Sequence, residues 1–184
     1  ELKHELEDFR NKYYIQTLLQ RNTQTNSATG EKEDNTTGQR VGLTAQSNYK
    51  FFRSDSSLFG RAAYLNDRFG AFREQSSVAV GYANRLYEEG QNYLDFETGP
   101  GIAYDRPSEG ESNSGMIWYA AGNFEYHFSE TSKFKQTLEY AISLDGHNTS
   151  YTSRSAITAQ INNELALRLS LNIKYDSDVG VDKK

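Results

Sequence analysis

Three long segments in the second half of the chain alternate strictly between apolar and polar residues. They span residues 94–104, 134–144 and 165–175, and in the last of them a row of leucines alternates with Arg168 and Lys174. A period of two is typical of a β-strand, because successive side chains point to opposite faces of a sheet. Two faces this different indicate that one of them meets an apolar medium and the other does not.

Clusters of Gly, Asn, Asp, Ser and Pro separate the alternating segments, for example at 26–35, 88–92, 105–115 and 145–150. Residues of these types build tight turns. The spacing leaves strands of roughly 11 to 16 residues, longer than the usual 5 or 6 of globular sheets. Long strands with short connections predict an all-β fold, an up-and-down antiparallel meander closing as a β-barrel. About nine strands are present, and a further strand after Lys184 would make ten.

The N-terminal segment has a different pattern. Leu2, Leu6, Phe9 and Tyr13 recur at helical spacing with charges between them, so residues 1–12 are expected to form a short amphipathic helix or linker. Residues 13–24 fit a helix or a first strand, and we favour the strand. The domain organisation predicted is therefore this segment followed by one barrel domain over 13–184, truncated at its C-terminus.

Composition excludes several classes of protein. The 184 residues include no cysteine, which excludes disulfide scaffolds and thiolate chemistry. A formal charge of −5 argues against a nucleic-acid partner. No window approaches 18 apolar residues, so a transmembrane helix is excluded, but a β-barrel hides its apolar residues at alternate positions. The chain opens on Glu1 without a secretion signal, which we expect to be absent or removed.

Three stretches resemble recurring segments of a known family. They are Tyr-Leu-Asp-Phe-Glu-Thr-Gly-Pro-Gly-Ile-Ala-Tyr at 93–104, Tyr-Leu-Asn-Asp-Arg-Phe at 64–69, and Val-Gly-Tyr-Ala-Asn-Arg-Leu at 80–86. In order and spacing they are similar to the salt-induced outer-membrane proteins, a bacterial family of unknown function with a DUF481-type domain. The resemblance covers roughly residues 35–180. It implies a β-barrel exported to the Gram-negative outer membrane, and it carries over no catalytic residue. Members usually begin with a signal peptide and end in a strand closing on an aromatic residue; this chain shows neither, as expected of a trimmed sequence.

One strand face carries most of the charged residues and is predicted to line a narrow or plugged lumen. The candidates on this polar face are Arg61, Asp95, Glu97, Glu125, His127, Lys135, Glu139, Arg154, Arg168 and Lys174. Asp95 and Glu97 share a face and could act as an acid pair or a cation site. The simpler hypothesis, which we prefer, is that they form ion pairs across the lumen with Arg154, Arg168 and Lys135.

The opposite face is predicted to contact outer-membrane lipid or detergent. Its candidates are Leu94, Phe96, Leu138, Ile142, Leu165, Leu167, Leu169 and Leu171. These assignments favour a small outer-membrane barrel with a structural or envelope-stress role and no catalysis. The alternative is a soluble, lipocalin-like ligand-binding barrel, in which Leu169 would point inward and Arg168 outward. If the sheet stays open, its two edges could pair with another copy.

A third hypothesis places a hydrolase at the barrel rim. Asp145, His147, Asn148 and Ser150 occupy such a position, although Asp-Gly followed by Asn is also ordinary turn chemistry. Residues 176–182 only faintly resemble a calcium loop, because the glycine is misplaced and no Glu follows. No metal or cofactor site is predicted.

Overall fold

The computed structural model describes residues 2–5, 9–25, 32–50, 56–146, 148–161 and 165–177. Within these ranges the chain forms one antiparallel sheet whose spatial order is its sequence order. The strands are β1 (Leu2–Glu5), β2 (Phe9–Thr25), β3 (Lys32–Lys50), β4 (Ser56–Asp67), β5 (Phe72–Glu89), β6 (Asn92–Pro107), β7 (Asn113–Ser129), β8 (Ser132–Ser143), β9 (Ser150–Gln160) and β10 (Ala166–Asp176). The predicted all-β meander is confirmed.

The N-terminal helix prediction is wrong. The described part of residues 1–12 is extended, and Leu2 of β1 lies opposite Tyr13 of β2 in an antiparallel pair. A short segment at helical spacing gains little from a helix, since helices of this length are marginal without packing. Pairing against an existing strand satisfies its backbone groups instead. The preference for a strand over 13–24 is confirmed, because β2 runs through it.

The sheet curls until strands far apart in its order touch through side chains. Lys12 of β2 reaches Glu97 of β6, Arg61 of β4 reaches Glu139 of β8, and Gln75 of β5 reaches Asp176 of β10. These contacts define a concave face, and the opposite side of the strands is the convex face. Among the described residues no backbone pairing joins β10 to the first strands. The described chain is therefore a curled half-barrel.

The two faces carry the reverse of the distribution found in a water-soluble protein. On the convex face Ile102 is 62% exposed and Leu169 is 71% exposed. On the concave face Glu97 is only 3% exposed, and Gln46 and Asn48 are also buried. Charged residues are almost never fully buried unless they are paired, so the concave face must supply partners.

The two shortest connections lie at the same end of the sheet. Two-residue turns at 90–91 and 130–131 join β5 to β6 and β7 to β8, and Gly90 supplies the positive φ of 60° that one of them requires. The longer loops 108–112 and 144–149 lie at the opposite end. We refer to these as the turn end and the loop end.

Strands β5 and β6 approach each other more closely than side chains would allow. A Cβ atom added to Gly81 would lie 2.2 Å from the Thr98 carbonyl oxygen, and one added to Gly99 would lie 2.1 Å from that of Val80. In the register Phe59 lies opposite Gly81 and Tyr119 lies opposite Gly99, and the centroids of the two rings are 5.8 Å apart. The small apolar core comprises Phe59, Ala79, Ala83, Tyr119 and Ala121.

Candidate binding lumen

The concave face encloses two adjoining cavities of about 270 and 240 Å³. The larger one extends toward the loop end, past Asp105 and Asn148, and we call it the loop-end chamber. The smaller one holds Lys12, Glu97 and Lys135, and we call it the turn-end chamber. The residues that line both chambers are Tyr14, Thr44, Arg61, Tyr119, Glu139, Arg154 and Asn172.

A charged triad stands between the chambers. Arg61 Nη2 donates to Glu139 Oε2 at 3.1 Å, and Arg154 Nη1 donates to Glu139 Oε1 at 3.1 Å. The Arg61 guanidinium also lies 4.9 Å from the ring centroid of Tyr119, and that of Arg154 lies 5.4 Å from Tyr14. Each carboxylate oxygen therefore has its own guanidinium, and each guanidinium has an aromatic face.

Glu97 is the most deeply buried acid of the turn-end chamber. Gln46 Nε2 donates to Glu97 Oε1 at 2.8 Å, and Lys12 Nζ lies 3.4 Å from the same oxygen. A second hydrogen bond of 2.9 Å runs from Gln46 to Asn48. The carboxylate is thus held by one cation and one amide, as a buried charge requires.

An acid–amide cluster closes the loop-end chamber. Gln75 Nε2 donates to Asp105 Oδ1 at 3.0 Å, and Asn148 Nδ2 lies 3.3 Å from both Asp105 Oδ2 and Asp176 Oδ1. Lys174 Nζ lies 3.1 Å from Asp176 Oδ2 and also donates to Gln75.

A second set of ion pairs lies at the turn-end rim. Lys133 Nζ lies 3.0 Å from Glu125 Oε1, and Tyr93 donates to the other oxygen at 3.2 Å. Arg85 Nε lies 2.7 Å from Asp95 Oδ1, and Nη2 donates to the other oxygen of the same carboxylate at 3.2 Å.

Residues 1–184 match the model of a protein family whose description is "Protein of unknown function, DUF481". The chain belongs to the DUF481 family. A relative is the uncharacterized protein YdiY of Escherichia coli strain K12, which is 30% identical over 122 residues, 66% of this chain and 47% of that protein. The chain therefore spans about half the length of this curated relative. No solved structure matches this chain.

The lumen of this DUF481 chain contains most of the predicted polar-face residues. Seven of them line one chamber or both: Arg61, Glu97, Lys135, Glu139, Arg154, Arg168 and Lys174. Asp95, Glu125 and His127 lie instead toward the turn-end rim, where His127 Nε2 is 3.6 Å from Glu125 Oε1.

The structure gives Asp95 and Glu97 ion-pair partners that were not predicted. Asp95 binds Arg85, its direct register partner on the neighbouring strand, and Glu97 binds Lys12. Arg154 is engaged by Glu139, because the two lie close to each other on adjacent strands. The alternation along one strand identifies the face on which a residue lies. Its ion-pair partner depends in addition on the register between strands and on the curvature of the sheet.

Most of the predicted lipid-facing residues of the DUF481 chain have exposed side chains. The exposed ones are Phe96, Leu138, Ile142, Leu165, Leu167, Leu169 and Leu171, and Leu94 is half-buried. Among described residues, no helix is long and apolar enough to cross a membrane.

The described residues do not test the rim-site hypothesis. Position 147, the proposed catalytic histidine, lies outside the described residues, as do positions 178–182 of the calcium-like stretch. Asp145 accepts a hydrogen bond of 2.7 Å from the backbone nitrogen of Met116, and Asn148 is held between two aspartates. In the described ranges no three His, Asp or Glu side chains form a group that could hold a metal.

The sequence analysis missed the partners that complete the lumen. Lys12, Gln46, Gln75 and Asp176 were not identified as candidates, although each ligates a charged group there. In the sequence, Gln46 alternates with Ala45 and Ser47 and shares its face with Arg40 and Asn48, and this pattern was the available signal. The signal for Lys12 was hidden by the helical spacing of the first residues.

Proposed function

We propose that this protein is an outer-membrane β-barrel with a narrow lumen and a structural or envelope-stress role, including salt stress. The observation that carries the proposal is the exposed aliphatic convex face opposite a buried, charge-paired concave face. In water this arrangement would leave large side chains such as Leu169 exposed, each forfeiting about 1.5–3 kcal/mol of burial. In a bilayer the same side chains meet hydrocarbon, and the alternation is the one a membrane barrel uses.

The connections support the same placement. In outer-membrane barrels the inner turns are short and the outer loops are longer. We infer that the turn end, with 90–91 and 130–131, faces the periplasm and that the loop end faces outward. Barrels of about eight strands have interiors that side chains can fill, so a general diffusion pore is not expected.

A pair of adjacent residues tests the sidedness directly. Ile102 is exposed on the convex face of β6, and Ala103 lines the loop-end chamber. Since the chain has no cysteine, Ile102→Cys and Ala103→Cys each introduce a single thiol. In liposomes, we expect a charged, membrane-impermeant maleimide to label the Ala103 variant and spare the Ile102 variant. In the lipocalin-like alternative Ile102 points into the barrel. Its cysteine variant should then also resist the maleimide in water without lipid or detergent.

Location needs its own measurement. The full-length protein, expressed in a Gram-negative host, should sediment with the outer membrane on a sucrose gradient. Recovery with the cytoplasmic membrane or in the soluble fraction would contradict the proposed location.

A further inference from the structure

We propose that the charged triad of Arg61, Glu139 and Arg154 is a gate that blocks the passage of ions along the lumen. This inference rests on the proposed function, because a lumen conducts ions only in a protein that spans a membrane. It adds to that function a conduction path that is closed in this structure, and it assigns to the triad the choice between anions and cations when the path opens.

The charged triad lies where the two chambers meet. The loop-end chamber of about 270 Å³ and the turn-end chamber of about 240 Å³ have all three members of the triad in their shared lining. Arg61 is the sixth of the twelve residues of β4, Glu139 the eighth of the twelve of β8, and Arg154 the fifth of the eleven of β9. The triad therefore lies near the middle of these strands, and the path from one chamber to the other leads past it.

The contacts within the triad leave no room for a hydrated ion. Both guanidinium–carboxylate distances are 3.1 Å, and each guanidinium has its own oxygen of Glu139. Hydrogen bonds with a charged group on both sides are among the strongest in proteins. The side chains of Arg61 and Glu139 are only 10% and 21% exposed, so water reaches their contact only in part. An ion that moves between the chambers has to open at least one of the two bonds.

Two tyrosine rings extend the triad toward the walls of the lumen. The ring of Tyr119 lies 4.9 Å from the Arg61 guanidinium and packs against Phe59 of the apolar core, with 5.8 Å between the ring centroids. The ring of Tyr14 lies 5.4 Å from the guanidinium of Arg154. This contact joins β2 to β9, near the two margins of the curled sheet, where the described residues form no backbone pairing. The triad and its two rings therefore extend across the concave space.

The charges of the triad predict which ions an opened gate would favour. Pores select anions with Arg or Lys at the constriction and cations with Asp or Glu. Loss of Glu139 removes a negative charge at this point, and loss of Arg154 removes a positive one. Because the two substitutions act at the same place with opposite signs, the difference in selectivity between them does not depend on the other charges of the lumen.

The test is ion conduction by the full-length protein in planar lipid bilayers. We expect the wild type to conduct weakly, and Glu139→Ala and Arg154→Ala each to raise the single-channel conductance by about fivefold or more, because each opens the constriction. The matched control is Glu88→Ala, which removes an ion-paired carboxylate at the turn end of β5, outside the lining of both chambers. This variant should conduct like the wild type.

Selectivity provides a second readout that a general loss of structure would not produce. Under a gradient of potassium chloride, the reversal potential should shift toward that of chloride in Glu139→Ala and toward that of potassium in Arg154→Ala. Variants are compared only where their far-ultraviolet circular dichroism matches that of the wild type. Arg154→Ala keeps the bond between Arg61 and Glu139, so it decides the matter alone where Glu139→Ala does not fold.

Conductance of Arg154→Ala equal to that of the wild type would overturn the gate. So would an equal rise in Glu88→Ala, or a shift of the reversal potential in Arg154→Ala toward that of chloride. Flotation of the protein with liposomes is measured first. A protein that does not float with them would overturn the membrane proposal and the gate with it, whereas a floating protein whose variants conduct alike would overturn the gate alone.

Discussion

Arg61 Nη2 and Glu139 Oε2 lie 3.1 Å apart across the lumen, although 78 residues and four steps of the strand order separate them. A flat sheet would hold β4 and β8 far apart, since neighbouring strands are spaced by about 4.8 Å. The contact therefore exists only because the sheet curls. Arg154 shares the same carboxylate, so one acid fixes the positions of β4, β8 and β9 relative to one another.

Glu139→Gln should destabilise the fold strongly. The neutral amide leaves two guanidinium groups in the lumen without their carboxylate, and removal of one partner from a buried pair costs about 3–5 kcal/mol. Because Glu139 is 21% exposed, we expect about 2–3 kcal/mol, measured by urea unfolding in detergent. Glu130→Gln, at an exposed turn, is the matched control and should change little. Equal midpoints for the two variants would show that the triad does not stabilise the curl.

Gly99→Ala should disrupt the contact between β5 and β6. Its Cβ would meet the Val80 carbonyl oxygen at 2.1 Å, and a backbone atom cannot rotate away. Overpacking of this kind costs about 1–3 kcal/mol. The control is Gly122→Ala on β7, where an added Cβ meets nothing within 4 Å and should be neutral or slightly stabilising. Thermal unfolding of both variants in the same detergent measures the difference, and a Gly99→Ala variant as stable as Gly122→Ala would refute the close approach.

Much of the fold was accessible from the sequence because strand alternation and turn residues are local signals. They identified the meander and placed Glu97, Glu139 and Arg154 on the polar face. Helical spacing over so few residues misled the prediction for residues 1–12, where pairing with β2 decides the structure. The contacts of Arg61 with Glu139 and of Lys12 with Glu97 were not predictable, because they depend on how tightly the sheet curls. Neither alternation nor composition encodes that curvature.

Trp118 provides a probe of the convex face that requires no labelling. It is the chain's single tryptophan, it is 44% exposed on β7, and its Nε1 donates to Thr98 Oγ1 at 2.9 Å. Because the protein satisfies the indole N–H, the ring can contact hydrocarbon without losing a hydrogen bond to water. In liposomes, lipids brominated deep in the acyl chain should quench its fluorescence strongly, and aqueous iodide should quench it weakly.

A second tryptophan position provides the depth control for that measurement. Phe128 is 61% exposed next to the turn at 130–131, so Phe128→Trp combined with Trp118→Phe moves the fluorophore to the turn end. Aromatic side chains at strand ends lie at the level of the lipid headgroups. We therefore expect this variant to be quenched best by bromine close to the headgroup, and more readily by iodide than the wild type. If iodide quenched Trp118 fully while deep bromines had no effect, the convex face would be in water and could not be the lipid-contacting wall of a barrel.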